Sequence, residues 1–382
     1  MAELPDLEVS VVMPCLNEAR TLPVCIRKAQ AAMARAGIRG EIVVSDNGST
    51  DGSVEIAKSL GARVVHAETK GYGAAYLRGL EAARGRYIII GDSDDSYDFD
   101  DLERFVTPLR EGHDAVIGSR LRGTILPGAM PPLHRYVGNP VLTGVLNLFF
   151  RAGVSDAHCG MRSFTRDAYQ RLNLVTTGME FASEMIVKMA KARMRIAEVP
   201  IVYHPDGRDR KPHLRSWRDG WRHLRFMLLY SPKWLFLIPG GLLTTAGLAV
   251  MFALAPGSIY ISGIRFDLHS MVLGMILALT GSQVVLTGLF AKVYAHVEKL
   301  DVDPAIDRTA RWMNLERGLT IAGFVFAAGF AINLWVLAQW IRSDFQYLNA
   351  LRQALIGGTL MALGIQGIFA AFFFSILGIE KR

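Results

Sequence analysis

Cysteine is scarce in this chain: three residues, Cys15, Cys25 and Cys159, among 382. Three thiols cannot build a disulfide framework, and none lies in a close pair of the kind that grips a metal. Ordinary reduced thiols are the expectation, as in a cytosolic protein. The opening MAELPDLEVS has neither a basic run nor an apolar core of signal-peptide type, so the first domain is expected to stay in the cytosol. Disorder is excluded, because 51% of the residues are hydrophobic and unfolded segments lack that much apolar surface. Acid is in deficit: 42 Lys and Arg face 35 Asp and Glu, a formal charge of +7. That balance suits nucleic acid, phosphorylated substrates or an anionic membrane surface, and does not choose among them.

What is present divides near residue 232. At roughly 100–200 residues per domain the length fits two or three structural units. Beyond Pro232 come four apolar stretches, Trp234–Leu254, Met271–Tyr294, Leu319–Ile341 and Leu355–Ile379. Each reaches the roughly 20 residues that cross a bilayer as a helix. No Asp or Glu lies within them, which argues against a transporter. Gln283, Asn333 and Gln366 do lie within them and are expected to bond between helices. Loop 295–318 carries Lys299, Arg308, Arg311 and Arg317, whereas loop 255–270 carries Arg265 alone and loop 342–354 carries Arg342 and Arg352. The positive-inside rule therefore predicts a multi-pass integral membrane protein with loop 295–318, the first domain and both termini cytoplasmic.

The first part reads as α/β. Apolar strands are predicted at Val9–Met13, Glu41–Ser45, Ala62–His66, Tyr87–Ile90 and Ala115–Gly118, with helices at Asn17–Ala36, Ser53–Leu60 and Gly73–Ala83. Alternation of this kind predicts parallel βαβ units. In such sheets ligands bind at the carboxyl ends of the strands.

Three of those ends are acidic. Ile88–Ile90 runs into Gly91-Asp92-Ser93-Asp94-Asp95. Asp92 and Asp94 suit a shared Mg²⁺ or Mn²⁺, hard ions that take oxygen ligands; the bland alternative is a solvated acidic turn capping the helix near Phe99. Val43–Ser45 runs into Asp46-Asn-Gly48-Ser-Thr-Asp51-Gly52, where Asp46 is placed to bond a base or ribose and Asp51 to cap a helix. Met13-Pro14-Cys-Leu-Asn17-Glu18 is the third. All three are expected to converge on one edge of the sheet. Lys70-Gly71-Tyr-Gly73 precedes a helix and offers either a phosphate contact or only a flexible helix start; it lacks Walker spacing. Glu180 and Glu184 share one helical face, for sugar hydroxyls or for nearby arginines.

Together PCLNE at 14–18, SDNGSTDGS at 45–53, KGYGAA at 70–75, GDSDD at 91–95, GSR at 118–120 and DAHCGMR at 156–162 resemble the family-two glycosyltransferases of GT-A fold, in particular the polyprenyl-phosphate group such as dolichol-phosphate mannose and glucose synthases. The resemblance covers about 7–232. It implies a GT-A nucleotide-diphospho-sugar transferase domain (1–204), a basic juxtamembrane segment (205–232) and a four-helix transmembrane domain (233–382). It implies a metal-dependent hexosyltransferase that moves sugar, with inversion, from a nucleotide-diphosphate sugar (UDP-glucose or GDP-mannose type) to a dolichyl or undecaprenyl phosphate for cell-envelope glycan or glycoconjugate assembly. By position, Pro14, Asn17, Glu18, Asp46, Lys70, Asp92, Ser93 and Asp94 are the expected nucleotide-sugar residues. Asp92 and Asp94 hold the metal, and Asp94, Asp95 and Arg120 are the catalytic candidates. Met161 stands where phenylalanine is usual, and Leu16 where tyrosine is usual.

The segment 205–232 carries Arg208, Arg210, Lys211, Arg215, Trp217, Arg218, Trp221, Arg222 and Arg225. Two readings hold together: 208–215, with Arg120 and Arg162, for an acceptor phosphate, and 216–231 for docking at the bilayer interface. A nucleic-acid partner is not expected of a patch that abuts a span; self-association stays open. Two rivals remain, transfer to another lipid, which would make Asp94 or Asp95 a base, and a non-catalytic membrane scaffold. A processive polysaccharide synthase is disfavoured, since Ala310-Arg311-Trp312 lacks the glutamine of that group's Gln-x-x-Arg-Trp segment.

Overall fold

Val9–Met13, Ile42–Val44 and Tyr87–Ile90 are buried along their whole length, as apolar runs inside a parallel sheet covered on both faces must be. The computed structural model describes residues 7–207, 216–297, 314–346 and 348–377. The chain forms two compact units, Met1–Met227 and Leu228–Arg382.

In the first unit, strands β1 (Val9–Cys15), β2 (Gly40–Asp46), β3 (Arg63–His66), β4 (Tyr87–Ile90), β5 (Ala115–Ile125), β6 (Arg162–Thr165) and β7 (Ile196–Tyr203) make one seven-stranded sheet of order β3-β2-β1-β4-β6-β5-β7. Strands β3, β2, β1 and β4 are mutually parallel, as expected. The far half is not: β6 runs antiparallel to both β4 and β5. Strands β6 and β7 were not foreseen. β6 has four residues, too few to show a period.

Helices α1 (Leu22–Arg35), α2 (Ser53–Ser59), α3 (Tyr72–Ala82), α4 (Glu103–Arg110), α5 (Asn139–Phe150), α6 (Arg166–Leu172), α7 (Phe181–Lys191) and α8 (Ser216–Leu229) complete this part of the chain. α1 buries Leu22, Cys25, Ile26, Ala29 and Met33, the one-sided stripe of an amphipathic helix. It starts at Leu22 rather than Asn17, because Asn17 is left-handed (φ 57°) and the amides of Asn17, Glu18 and Ala19 bond to Ser49, Ser53 and Asp51. Strands β2 and β3 are added on one side of β1 and β4 on the other, which puts the switch point of the sheet between β1 and β4.

The second unit contains four helices long and apolar enough to cross a membrane, Lys233–Leu254, Leu268–Tyr294, Leu315–Arg342 and Leu351–Leu377. Here α9 (Ile238–Leu254) is followed by a short hairpin, β8 (Ile259–Ile261) and β9 (Ile264–Phe266), then α10 (Leu268–Val297), α11 (Leu315–Arg342) and α12 (Leu351–Leu377). α9 and α10 meet backbone to backbone: a Cβ on Gly247 would press into the Gly274 carbonyl and the Ala278 amide, and one on Gly240 would lie 2.8 Å from the Val285 amide. Small residues permit this close packing where lipid offers no hydrophobic drive between helices. Two of the three expected polar residues join helices: Gln366 Oε1 accepts from Ser282 Oγ at 2.8 Å, and Asn333 Nδ2 donates to Met361 Sδ at 3.4 Å.

Gly247→Val is expected to destabilise the full-length protein in detergent by at least the ~1–3 kcal/mol typical of overpacking. Gly241→Val, whose Cβ meets nothing within 4 Å, serves as the matched control and should leave the thermal midpoint unchanged. Equal midpoints for the two variants would show that the close approach of α9 and α10 contributes nothing.

Candidate active site

The three acidic strand ends do converge. Cys15 pairs with Asp46, Asp46 with His66, and Val12 with Ile90, so the loops leaving β1, β2 and β4 emerge side by side at the switch point. Loops β1–α1 and β2–α2 are stitched together: Asn17 Oδ1 accepts from the Thr50 amide at 2.7 Å, and Asp51 accepts from the Ala19 amide at 2.9 Å and the Ser53 amide at 3.1 Å. Glu18 is buried and accepts from Thr21 Oγ1 at 3.1 Å. Ser93 Oγ donates to the Pro14 carbonyl, tying the end of β4 to that of β1.

Asp46 is buried, and burial alone would raise its carboxyl. Hydrogen bonds from Ser49, the Gly48 amide (3.1 Å) and His66 Nδ1 (3.2 Å) outweigh that and hold it below the usual carboxylate range. Lys70 lies over Gly48: its Nζ donates to the Asn47 carbonyl at 2.8 Å, and the place a Cβ on Gly48 would take is filled by that ammonium. Gly71 and Gly73 have a packing cause. Cβ atoms there would strike the carbonyls of Thr177 and Thr176, and the Ala74 amide donates to Thr177 O at 3.1 Å.

Asp92 Oδ1 accepts from Tyr76 OH at 2.9 Å. Burial first, and the Asp92 charge second, raise the Tyr76 phenol well above its ordinary range, so it stays a donor. Asp92 Oδ2 sits 2.7 Å from where a Cβ on Gly160 would be, so glycine at 160 keeps that oxygen its space. Asp94 is buried and its Oδ1 accepts from the Ser96 amide at 3.1 Å. Asp95 (φ 62°) pairs instead with Lys28 on α1 at 2.8 Å.

Arg120 lies at 7% exposure and forks onto fully buried Asp156, Nε to Oδ2 at 2.7 Å and Nη2 to Oδ1 at 2.8 Å. Its guanidinium stands 5.3 Å over the Tyr203 ring. Burial would raise Asp156; the Arg120 charge overrules it and lowers the carboxyl. Arg162, 1% exposed, gives its guanidinium to three backbone carbonyls, those of Cys159, Ala182 and Ala157, each at 2.8 Å. Arg208, Arg210 and Lys211 lie outside the described residues. Glu184 is fully buried and organises the loop before α7, accepting from the Thr176 amide at 2.8 Å and pairing with Lys188 at 2.7 Å. Glu180 Oε2 is buried with no hydrogen-bond partner.

Several site-building residues were not picked out from sequence: Tyr76, Tyr97, His158, Gly160, Ser183 and His204. Tyr97 OH accepts from the Gly160 amide at 2.7 Å. The His204 amide donates to Ser96 O at 3.0 Å while its Nε2 is buried without a partner. The spacing of Tyr72 and Tyr76, one helical turn, was the one available signal.

Among the described residues no three of His, Cys, Asp and Glu form a metal-holding group. Two carboxylates on one turn, Asp92 with a kept space beside it, fit Mg²⁺ or Mn²⁺, which take one or two protein carboxylates and complete their shell from substrate phosphates. They do not fit a closed structural zinc site.

A strand-switch point with an Asp-x-Asp turn, followed by four helices long and apolar enough to cross a membrane, fits a membrane-bound glycosyltransferase, and the chain belongs to glycosyl transferase family 2. Residues 10–172 match the model of that family, and residues 289–378 match its C-terminal transmembrane region. The low-salt glycan biosynthesis hexosyltransferase Agl6 of Haloferax volcanii is 42% identical over 371 residues, 97% of this chain and 89% of that protein. The dolichyl-phosphate hexose transferase of the same organism is 34% identical over 167 residues, 43% of this chain and 70% of that protein. Among solved structures, glucosyl-3-phosphoglycerate synthase of Mycobacterium tuberculosis with Mn²⁺, UDP-glucose and phosphoglyceric acid has a TM-score of 0.48 at 22% identity, over 59% of this chain and 79% of that one.

A pH dependence follows from His223, which is 6% exposed. Burial pushes its imidazole down to about 4; Asp219 opposes and Arg162 adds to the shift. Between about 4 and 6.5 the unfolded chain therefore binds a proton that the folded chain refuses. Stability is full above about 6.5 and falls as pH drops toward 4, by on the order of 3 kcal/mol for this group at 1.36 kcal/mol per unit. Thermal unfolding of the full-length protein should show this acid limb, and His223→Phe should reduce it, leaving the part that buried His158 contributes in the same direction. An acid limb unchanged in the variant would assign it to other groups.

Proposed function

We propose that this chain transfers a hexose, with inversion, from a nucleotide-diphosphate sugar of the UDP-glucose or GDP-mannose type to a membrane polyprenyl phosphate. The observation that carries the reading is loop 156–162. Asp156 fixes Arg120, and Gly160 adjoins Asp92, so one loop joins the donor-side carboxylate to a buried arginine. Agl6 and the dolichyl-phosphate hexose transferase, by their names, support hexose and lipid phosphate.

Asp92 and Asp94 would hold a divalent cation, which when bound would neutralise the charge left on the departing nucleoside diphosphate. The chain's own residues do the rest. Tyr76 fixes Asp92, and Ser96 fixes Asp94. The loops of Asn17, Glu18 and Asp46 form the nucleotide end, with Lys70 held over Gly48. A phosphate monoester is largely dianionic at neutral pH, with a second pKa of about 6, so it attacks without a base. It needs cationic donors, for which Arg120 and the segment containing Arg208, Arg210 and Lys211 stand. In keeping with this, Asp95 is already paired with Lys28. The unpartnered Oε2 of Glu180 favours a second reading, a hydroxyl-bearing lipid acceptor with Glu180 as base. The basic residues of loop 295–318 support a cytoplasmic side for the catalytic domain and both termini.

The test incubates purified protein in detergent with Mg²⁺ or Mn²⁺, radiolabelled UDP- and GDP-sugars, and either undecaprenyl or dolichyl phosphate or a diacylglycerol. Metal-dependent lipid-extractable label with the phosphate, falling by roughly 10²–10³-fold in Asp92→Ala and Asp94→Ala, is expected from the loss of charge stabilisation. Label on the diacylglycerol alone, abolished in Glu180→Gln, would replace the phosphate acceptor by a hydroxyl. Absence of nucleotide binding would overturn the transferase chemistry altogether.

A further inference from the structure

α8 carries two unlike faces. One buries Asp219, His223, Phe226 and Met227. The other leaves Trp217 85%, Trp221 58% and Leu229 63% exposed, with Arg218 and Arg225 beside them. Tryptophans one turn apart among arginines suit the headgroup layer of a bilayer.

The inner face reaches the site. His223 Nδ1 is 2.8 Å from Ser183 Oγ on α7, and the same oxygen is 3.3 Å from His158 Nε2. The two imidazoles pack edge to face, 4.6 Å between centroids. A hydroxyl has one proton and two lone pairs, so Ser183 donates to at most one ring and accepts from at least one. Both imidazoles are lowered from their ordinary range first by burial; at His158 the neighbouring His223, then Arg120 and Arg162, add to the shift, while at His223 Asp219 opposes it and Arg162 adds. His158 Nδ1 is buried without a partner, which leaves Ser183 as the directional bond on that ring among the described residues.

His158 lies in loop 156–162, between Asp156, which grips Arg120, and Gly160, whose amide donates to Tyr97 OH and whose missing side chain makes room for Asp92. A displaced His158 therefore displaces both neighbours.

We propose that Ser183 and His223 are positioning residues, which set the acceptor-side loop 156–162 from the membrane-facing helix α8, so that α8 seating on a bilayer and the ordering of that loop are one event. The proposal rests on the phosphate-acceptor reading above for its kinetic consequence, but not for its structural one. Coupling of this kind is a free energy between two sites, and both ends must report it.

Two measurements on the full-length protein test it. Kinetics come first. Ser183→Ala should raise KM for long-chain polyprenyl phosphate roughly tenfold, a common size for such coupling, with kcat and nucleotide affinity within about twofold. His223→Gln, which still offers Ser183 a polar partner, should recover much of what His223→Ala loses. Trp217→Ala with Trp221→Ala should cost affinity in the wild type and little more in Ser183→Ala, a non-additive cycle. Amide hydrogen exchange comes second. Residues 157–161 should gain protection when anionic phospholipid is added to the wild type, and not in Ser183→Ala. Proportional losses in kcat, nucleotide affinity and thermal midpoint would reduce the cluster to plain packing and overturn the proposal, as would equal lipid-induced protection in both proteins. If the wild type labels no polyprenyl phosphate, the acceptor reading fails, while the exchange comparison still decides whether α8 sets the loop.

Discussion

The buried fork between Arg120 and Asp156 is the contact on which the site depends. Two parallel hydrogen bonds at 2.7 and 2.8 Å, with Asp156 at zero exposure, join β5 to the loop that precedes β6. Removing two charges from water costs several kcal/mol each, and the attraction between them does little more than offset it. The pair is therefore poor evidence of stability, and its contribution is geometric: it fixes the direction of both side chains. Once it is made, the register of loop 156–162 follows. Gly160 falls beside Asp92 and Tyr97, and Arg162 falls among three carbonyls.

Close backbone approach is the second constraint, and it acts in both units by the same physics. Gly71 and Gly73 admit the carbonyls of Thr177 and Thr176 against the start of α3; Gly247 and Gly274 admit each other's backbones between α9 and α10. In the first case the approach carries α7, and with it Phe181 stacked on Tyr76 at 5.4 Å, to the phenol that holds Asp92. In the second it replaces the hydrophobic drive that lipid removes. A glycine pair before a helix is thus ambiguous in sequence. The phosphate-cradle reading and the packing reading require the same residue, and the neighbour that separates them lies about a hundred residues away, at Thr176 and Thr177.

How much was legible follows from what each feature depends on. The first four strands were visible because each is an apolar run long enough to show itself, and the spans because a bilayer demands some twenty apolar residues. The convergence of the Pro14–Glu18, Asp46 and Asp92–Asp94 turns follows from parallel strands and needed no tertiary detail. The antiparallel β6 was hidden: its four residues follow a polar loop, and its direction is set by the partners β4 and β5. Asn17 was read as the first residue of a helix because its neighbours have helical spacing; its left-handed backbone answers to Thr50, across another loop.

Sequence lists donors and acceptors, and the fold decides which are already engaged. Arg162 and Arg120 look alike in the sequence, each an arginine in a short polar motif near a strand. One is ringed by carbonyls, the other is neutralised by a carboxylate. Lys70 is bound to a carbonyl, and Asp95 to a lysine. A charge held by carbonyls has its donors engaged and no counter-charge beside it; a charge held by a carboxylate is offset in part and fixed in direction. Arg162 thus holds a charge that no hydrogen-bonded carboxylate offsets, and Arg120 holds one whose direction its carboxylate fixes. Burial is the first reason that His158 and His223 lie below the ordinary imidazole range; neighbouring cations add to it, Arg120 and then Arg162 at His158 and Arg162 at His223, because charges repel more strongly in a low-dielectric interior than in water.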